Sequence, residues 1–177
     1  SVAAFALTSC ITEAPRPPDP PNTVNDVTQL NPIAVERIAT PGTAEELAAL
    51  VAGHAGPVSI GGGRFSQGGQ TACAGCLFID MRGLNHVVSL DEDAHLITVE
   101  AGITWRQIQE EIDPKDLSPK IMQSFSNFTV GGSLSVNCHG DYVGLGPGAL
   151  ATLHLLTRVG EPAWFELYYL EAEASLF

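Results

Sequence analysis

Positive charge is scarce in this chain. Eight Lys and Arg stand against 20 Asp and Glu in 177 residues, a formal net charge of −12. That balance argues against a nucleic-acid partner, because no basic footprint exists to neutralise phosphates. It does not exclude an anionic cofactor, since backbone N–H groups can hold a pyrophosphate without Lys or Arg. No apolar run reaches the roughly 20 residues of a membrane-spanning helix. Cysteine is also sparse. Cys73-Ala74-Gly75-Cys76 is a C-x-x-C, but only Cys10 and Cys138 remain, so the second pair of a zinc site is lacking. The pair reads as a local disulfide in an exported chain, as a thioredoxin-like redox pair, or as two incidental thiols. His54, His86, His95 and His154 show no ligand spacing and read as structural or surface residues, so no metal site is expected. No internal repeat is visible. What is present is 45% hydrophobic and 16% charged residues, which describes a packed core rather than a disordered chain. The length suits one ordinary domain or two small subdomains.

The sequence opens without an initiator Met or a basic segment. Ser1 to Cys10 reads either as the end of a secretory apolar region or as a frayed terminus. Leu7-Thr8-Ser9-Cys10 is similar to a bacterial lipobox, in which the cysteine is acylated; the alternative is a chance cysteine. Export or a cell-envelope location, with membrane contact only through a lipid on Cys10, stands against a cytoplasmic one. Ala14 to Pro21 is a proline-rich linker favouring an extended backbone, so folding should begin near Asn25.

Ile33 to Ile38 reads as a strand. Thr43 and Glu46 form a capping box, Leu47, Leu50 and Val51 follow at helical spacing, and Gly53 can end that helix. Pro57 to Ile60 is a short apolar strand feeding a glycine loop, where α/β folds place ligands. Leu77–Asp80, Val87–Leu90 and His95–Glu100 read as further strands, with a polar turn at Asp91-Glu92-Asp93. Thr104 and Gln107 form a second capping box, with Ile108 and Ile112 on the face of Trp105 and Asp113-Pro114 ending the helix. A further short helix should start near Thr129.

Two glycine-marked loops carry the chemistry. The first runs Gly61-Gly62-Gly63-Arg64-Phe65-Ser66-Gln67-Gly68-Gly69-Gln70. The second runs from Gln123 through Ser124, Thr129, Gly131, Gly132 and Asn137 to His139-Gly140. Such loops bring backbone N–H groups close to a bulky anion and supply the positive φ angles that a nest requires. The first is neither a Rossmann fingerprint, since no helix follows it in the expected unit, nor a Walker loop, since no Gly-Lys-Ser/Thr follows. Between the two lies Ile97-Thr98-Val99-Glu100-Ala101-Gly102-Ile103-Thr104-Trp105.

These three stretches, in this order, resemble the FAD-binding domain of the vanillyl-alcohol oxidase/p-cresol methylhydroxylase flavoprotein superfamily, over roughly Val24 to Pro147. The resemblance implies an α+β fold of two subdomains, the first complete and the second present only at its start. Residues 1–23 would be the signal or lipoprotein remnant and linker, 24–147 the FAD-binding domain, and 148–177 a tail that diverges from the family pattern. It implies FAD contacts from Gly61, Gly62, Gly63, Arg64, Phe65, Ser66, Gln67 and Gly68 in the first loop, and from Ser124, Gly131, Gly132, Asn137 and His139 in the second. Arg64 stands where many relatives carry a histidine bonded to the flavin, so non-covalent FAD is expected; by itself Arg64 also reads as a solvated surface charge. The implied activity is that of an FAD-dependent oxidoreductase acting on a C–H bond beside oxygen, like sugar-lactone and alditol oxidases. The substrate-side acid/base groups of relatives belong to a separate domain, so no catalytic residue is assigned and these residues alone are expected to be inactive. A truncated non-catalytic remnant and an envelope-anchored binding module are the alternative readings.

Overall fold

In a computed structural model, the described residues are 18–93, 96–119, 122–136 and 138, with backbone alone for 151–156 and 162–167. Cys10, Asn137, His139 and most of the tail therefore lie outside the described residues, as do the side chain of His154 and all of His95.

Three parallel strands form the central sheet: β3 (Arg37–Ala39), β4 (Val58–Gly61) and β5 (Leu77–Asp80), with β5 in the middle. All four residues of β5 are buried, and its side chains divide by strand alternation. Leu77 and Ile79 face helix α1 (Ala44–Ala52), meeting Leu47 and Leu84. Phe78 and the preceding Cys76 face the other way, against Val24 and Val35. An apolar run, here Leu77–Ile79, covered on both faces is what a parallel sheet demands.

The strand expected over Ile33–Ile38 is instead two. β1 (Thr23–Val24) pairs antiparallel with β2 (Ile33–Ala34), and β3 then pairs with β5. The break has a hydrogen-bonding cause. The Val35 N–H donates to Asn22 O at 2.9 Å, while the next N–H, of Glu36, donates to Cys76 O at 2.9 Å. The chain changes partner within one residue.

Helix α1 begins as its capping residues dictate. The Glu46 N–H donates to Thr43 Oγ1 at 3.1 Å. Glu46 Oε2 accepts from the N–H of Gly42, one residue ahead of the cap, so the box is shifted by a position. The helix ends at Gly53 with φ −81°, so the glycine stops it without left-handed geometry.

A hairpin of β6 (Val87–Asp91) and β7 (Leu96–Val99) carries the second half. Helix α2 (Trp105–Ile112) starts at a complete capping box of Thr104 and Gln107. It buries Ile108 and Ile112 with Ile103, against Val87, Leu90, Ile97 and Val99. A 3-10 turn over Asp113–Lys115 follows, with proline in its first turn, as Asp113-Pro114 predicts. Helix α3 (Val130–Ser135) follows Thr129, whose side chain caps it. Backbone strands β8 (Ala151–Leu156) and β9 (Pro162–Leu167) pair antiparallel. No helix among the described residues is long and apolar enough to cross a membrane.

Candidate cofactor site

The fold brings the three sequence motifs to one place. The Ala101–Arg106 segment is laced to the second loop: Trp105 and Arg106 N–H donate to Phe128 O and Ser126 O at 3.2 and 2.8 Å. In return Val130 and Gly131 N–H donate to Ile103 O and Ala101 O at 2.9 and 2.8 Å. Thr104 and Thr129 form an antiparallel bridge between these ties.

The first loop lies against the second at Thr129. A Cβ built on Gly62 would stand 2.2 Å from Thr129 Oγ1, and one on Gly132 would stand 2.8 Å from the same atom. A Cβ on Gly131 would stand 2.9 Å from both Ala101 Cβ and Ala101 O. These glycines serve close approach. The positive φ angles expected of the loop fall not in its Gly61–Gly63 run but later, at Arg64 (+59°), Gly68 (+111°) and Gly69 (+77°). Phe65 packs edge-on against Phe125 and Phe128, with ring centroids 5.1 and 4.9 Å away, which fastens the two loops by a second contact.

Gly61 is buried, Gly62 through Ser66 are half-buried, and Gln67 and Gly68 are exposed. Among the described residues, no acceptor faces the N–H groups of Gly63, Arg64, Phe65 or Ser66. The N–H groups of Gly68 and Gly69 are engaged, donating to Asp26 Oδ2 at 2.8 and 3.2 Å. The amide donors without an acceptor among the described residues are thus confined to the first part of the loop. In the second loop Ser124 and Gly132 are exposed and Gly131 is half-buried.

Arg64 is not a free surface charge. Its Nη2 lies 3.9 Å from Asp80 Oδ2, and its side chain is 24% exposed. Asp80 also receives Arg82 Nε at 2.8 Å and the Arg82 N–H at 3.1 Å. Burial pushes the Asp80 carboxyl upward, but hydrogen bonds from Arg82 and the two guanidinium charges outweigh it and hold it below the usual range. For Arg64, burial and the Arg82 charge lower the value against the pull of Asp80. Cys73 and Cys76 are free thiols, with Cys76 Sγ 2.9 Å from Ser59 Oγ.

Sequence reasoning passed over a buried polar chain beneath the second loop. Trp105 Nε1 donates to Ser133 Oγ at 3.0 Å, Ser133 Oγ to Gln123 Oε1 at 3.1 Å, and Gln123 Nε2 to Cys138 O at 3.2 Å. Asp26 and Asp80 were equally unmarked as site residues, and Gln123 was marked only as the start of the second loop. The signal that could have flagged Asp26 and Asp80 is a carboxylate expected in an apolar setting, which must be paired when buried.

Asp26 is held far below the ordinary carboxylate value, first by the Thr28 hydroxyl, then by the Gly68, Thr28 and Asn31 donors, with burial opposing. Asp26 and Asp80 bind protons less readily folded than unfolded. The stability they supply is complete above the ordinary value of 3.8 and is lost as pH falls from there through the folded values. A urea midpoint followed from about pH 6 to about pH 3 is expected to fall steeply in wild type and less in an Asp80→Asn variant.

A two-lobed glycine cradle with uncommitted amide donors suits a bulky, anionic dinucleotide, and the family comparison agrees. The model of the FAD-binding domain matches residues 35–162. The chain belongs to that family, and its cofactor is FAD. Two oxidases are among its curated relatives. Decaprenylphosphoryl-beta-D-ribose oxidase of Mycolicibacterium smegmatis is 31% identical over 112 residues, 62% of this chain and 24% of that protein. L-gulonolactone oxidase of Mus musculus is 31% identical over 111 residues, 63% of this chain and 24% of that protein. The chain thus spans about a quarter of the length of the curated relatives it matches. Among solved structures, cholesterol oxidase from B. sterolicum superposes with a TM-score of 0.58 at 20% identity, covering 71% of this chain and 27% of that one. That likeness shows the shared FAD-binding fold.

Proposed function

We propose that the chain holds FAD non-covalently between the 61–66 loop and the second loop, as the cofactor-binding part of an oxidoreductase acting on lactone or sugar-like substrates. One observation carries the reading: Gly62 and Gly132 both meet Thr129, while the N–H groups of residues 63–66 face no acceptor among the described residues. Gly62 and Gly131 would let the two loops and the Ala101 segment close on one another, and the N–H groups of Gly63 to Ser66 would donate to the cofactor's pyrophosphate. When bound, FAD supplies the hydride acceptor for a C–H bond beside oxygen, and the protein positions it. Arg64 offers no imidazole nitrogen for a bond to the flavin, and its guanidinium pairs with Asp80. The substrate class rests on relatives named as oxidases of lactones and of a ribose derivative. The 177 residues by themselves are proposed to bind without turnover.

One preparation tests all three parts. Purified protein supplied with FAD is expected to retain visible flavin absorbance, to release all of it on acid precipitation, and to consume no oxygen with lactones, alditols or simple alcohols. Protein that takes up no flavin overturns the site. Colour in the acid pellet overturns the non-covalent part, and turnover overturns the inactivity.

A further inference from the structure

Asp26 is 1% exposed and lies outside both glycine loops. Its carboxylate gathers five donors. Oδ1 accepts from the Thr28 N–H at 2.8 Å and from the Thr28 hydroxyl. Oδ2 accepts from Asn31 Nδ2 at 2.8 Å and from the N–H groups of Gly68 and Gly69 at 2.8 and 3.2 Å. The neighbouring Val27 N–H donates to Arg64 O at 3.1 Å. The segment around Asp26 therefore grips the first loop at two points, Arg64 and Gly68–Gly69, which are the three left-handed positions of that loop. Between the grips lie Phe65, Ser66 and Gln67.

We propose that Asp26 is the positioning residue of the cofactor loop: an internal anion that ties down Gly68 and Gly69 so that the N–H groups of residues 63–66 stay presented to FAD. The proposal rests on the cofactor reading above for its last clause, but the tie itself exists without ligand. Two left-handed glycines in succession have no intrinsic preference for that state over many others. A buried acceptor shared by both amides selects it, and removal of the acceptor leaves both donors unsatisfied. Asparagine conserves the volume yet brings an NH2 group into a ring of donors, so the isosteric change should be as harmful as alanine.

Amide exchange and flavin titration test this on the full chain. In wild type without FAD, the Gly68 and Gly69 amides are expected to exchange slowly although Gly68 is exposed, and those of residues 63–66 rapidly. Equal, rapid exchange at all six overturns the proposal whether or not any variant folds. Asp26→Asn and Asp26→Ala should speed exchange at Gly68 and Gly69 and weaken FAD binding, each by about tenfold or more, with α1 amides unchanged. Val24→Ala, which removes core volume from the same segment, should lower the unfolding midpoint and leave loop exchange and FAD affinity within about twofold of wild type. Folded Asp26 variants with both quantities within about twofold of wild type overturn the proposal. So does an equal loss in Val24→Ala. If wild type takes up no FAD, the cofactor reading fails, and the exchange pattern still decides whether Asp26 sets the loop.

Discussion

Replacing Gly62 with valine is expected to leave the purified protein colourless. A Cβ at this position lies 2.2 Å from Thr129 Oγ1 and 3.1 Å from both Thr129 Cβ and Thr129 Cγ2. Thr129 has no room to retreat. It is 3% exposed, its hydroxyl caps α3, and its backbone bridges Thr104. Turning the hydroxyl away would forfeit a cap worth about 1 kcal/mol. Keeping it forces the two loops apart. The central sheet does not pass through this contact, so overpacking should cost about 1–3 kcal/mol and leave the fold intact. The site suffers more than the fold, because a cradle split across two loops depends on their separation. The measurement is flavin absorbance relative to protein absorbance after gel filtration. Gly75→Ala is the control: Gly75 has φ +69° but no atom within 4 Å of its would-be Cβ, so it adds strain of about 1 kcal/mol without crowding. Normal flavin content in Gly62→Val would remove the contact between the loops from any account of binding.

Gly102→Ala should strike the whole fold. Its Cβ would stand 1.9 Å from Met81 O and 2.6 Å from Leu84 O, both backbone atoms. The Gly102 N–H donates to Leu84 O at 2.7 Å, so the segment cannot slide away without breaking that bond. Ala101, next to it, accepts the Gly131 N–H. One methyl group therefore disturbs the turn after β5, the hairpin exit and the second loop together. A loss at or above the usual overpacking range of about 1–3 kcal/mol is expected, against a total stability of about 5–15 kcal/mol for a domain. The urea midpoint reports it, and an unchanged slope would show that the folded state remains cooperative. A midpoint equal to wild type would mean that the backbone at Met81 yields freely.

The two helices with capping boxes were legible because their signals are local. Thr43 and Thr104 announce their helices within four residues. The apolar run Leu77–Ile79 of β5 was legible for the same reason. The division of the strand expected over 33–38 was not, since it lies in where two successive backbone N–H groups, of Val35 and Glu36, find their carbonyls, at the distant Asn22 and Cys76. The Gly61–Gly63 run was read for close approach and for positive φ; the structure shows close approach, of Gly62 to Thr129, and no positive φ there. Sequence cannot tell a glycine needed for positive φ from one needed because Thr129 stands against it. Arg64 was undetermined for a similar reason, as its partner Asp80 stands at the end of β5, 16 residues on. The sequence around Asp26 could at most flag a carboxylate in need of partners, not which ones, because the glycines it holds are 42 and 43 residues away.

That last separation bears on where the working unit begins. The family match starts at residue 35, yet the carboxylate that holds Gly68 and Gly69 is at residue 26. An expression boundary drawn at the match would keep every glycine of the loop and discard its anchor, together with β1 and Val24 from the core. The smallest piece worth producing or transplanting therefore starts before Asn22, whose carbonyl holds Val35 in place.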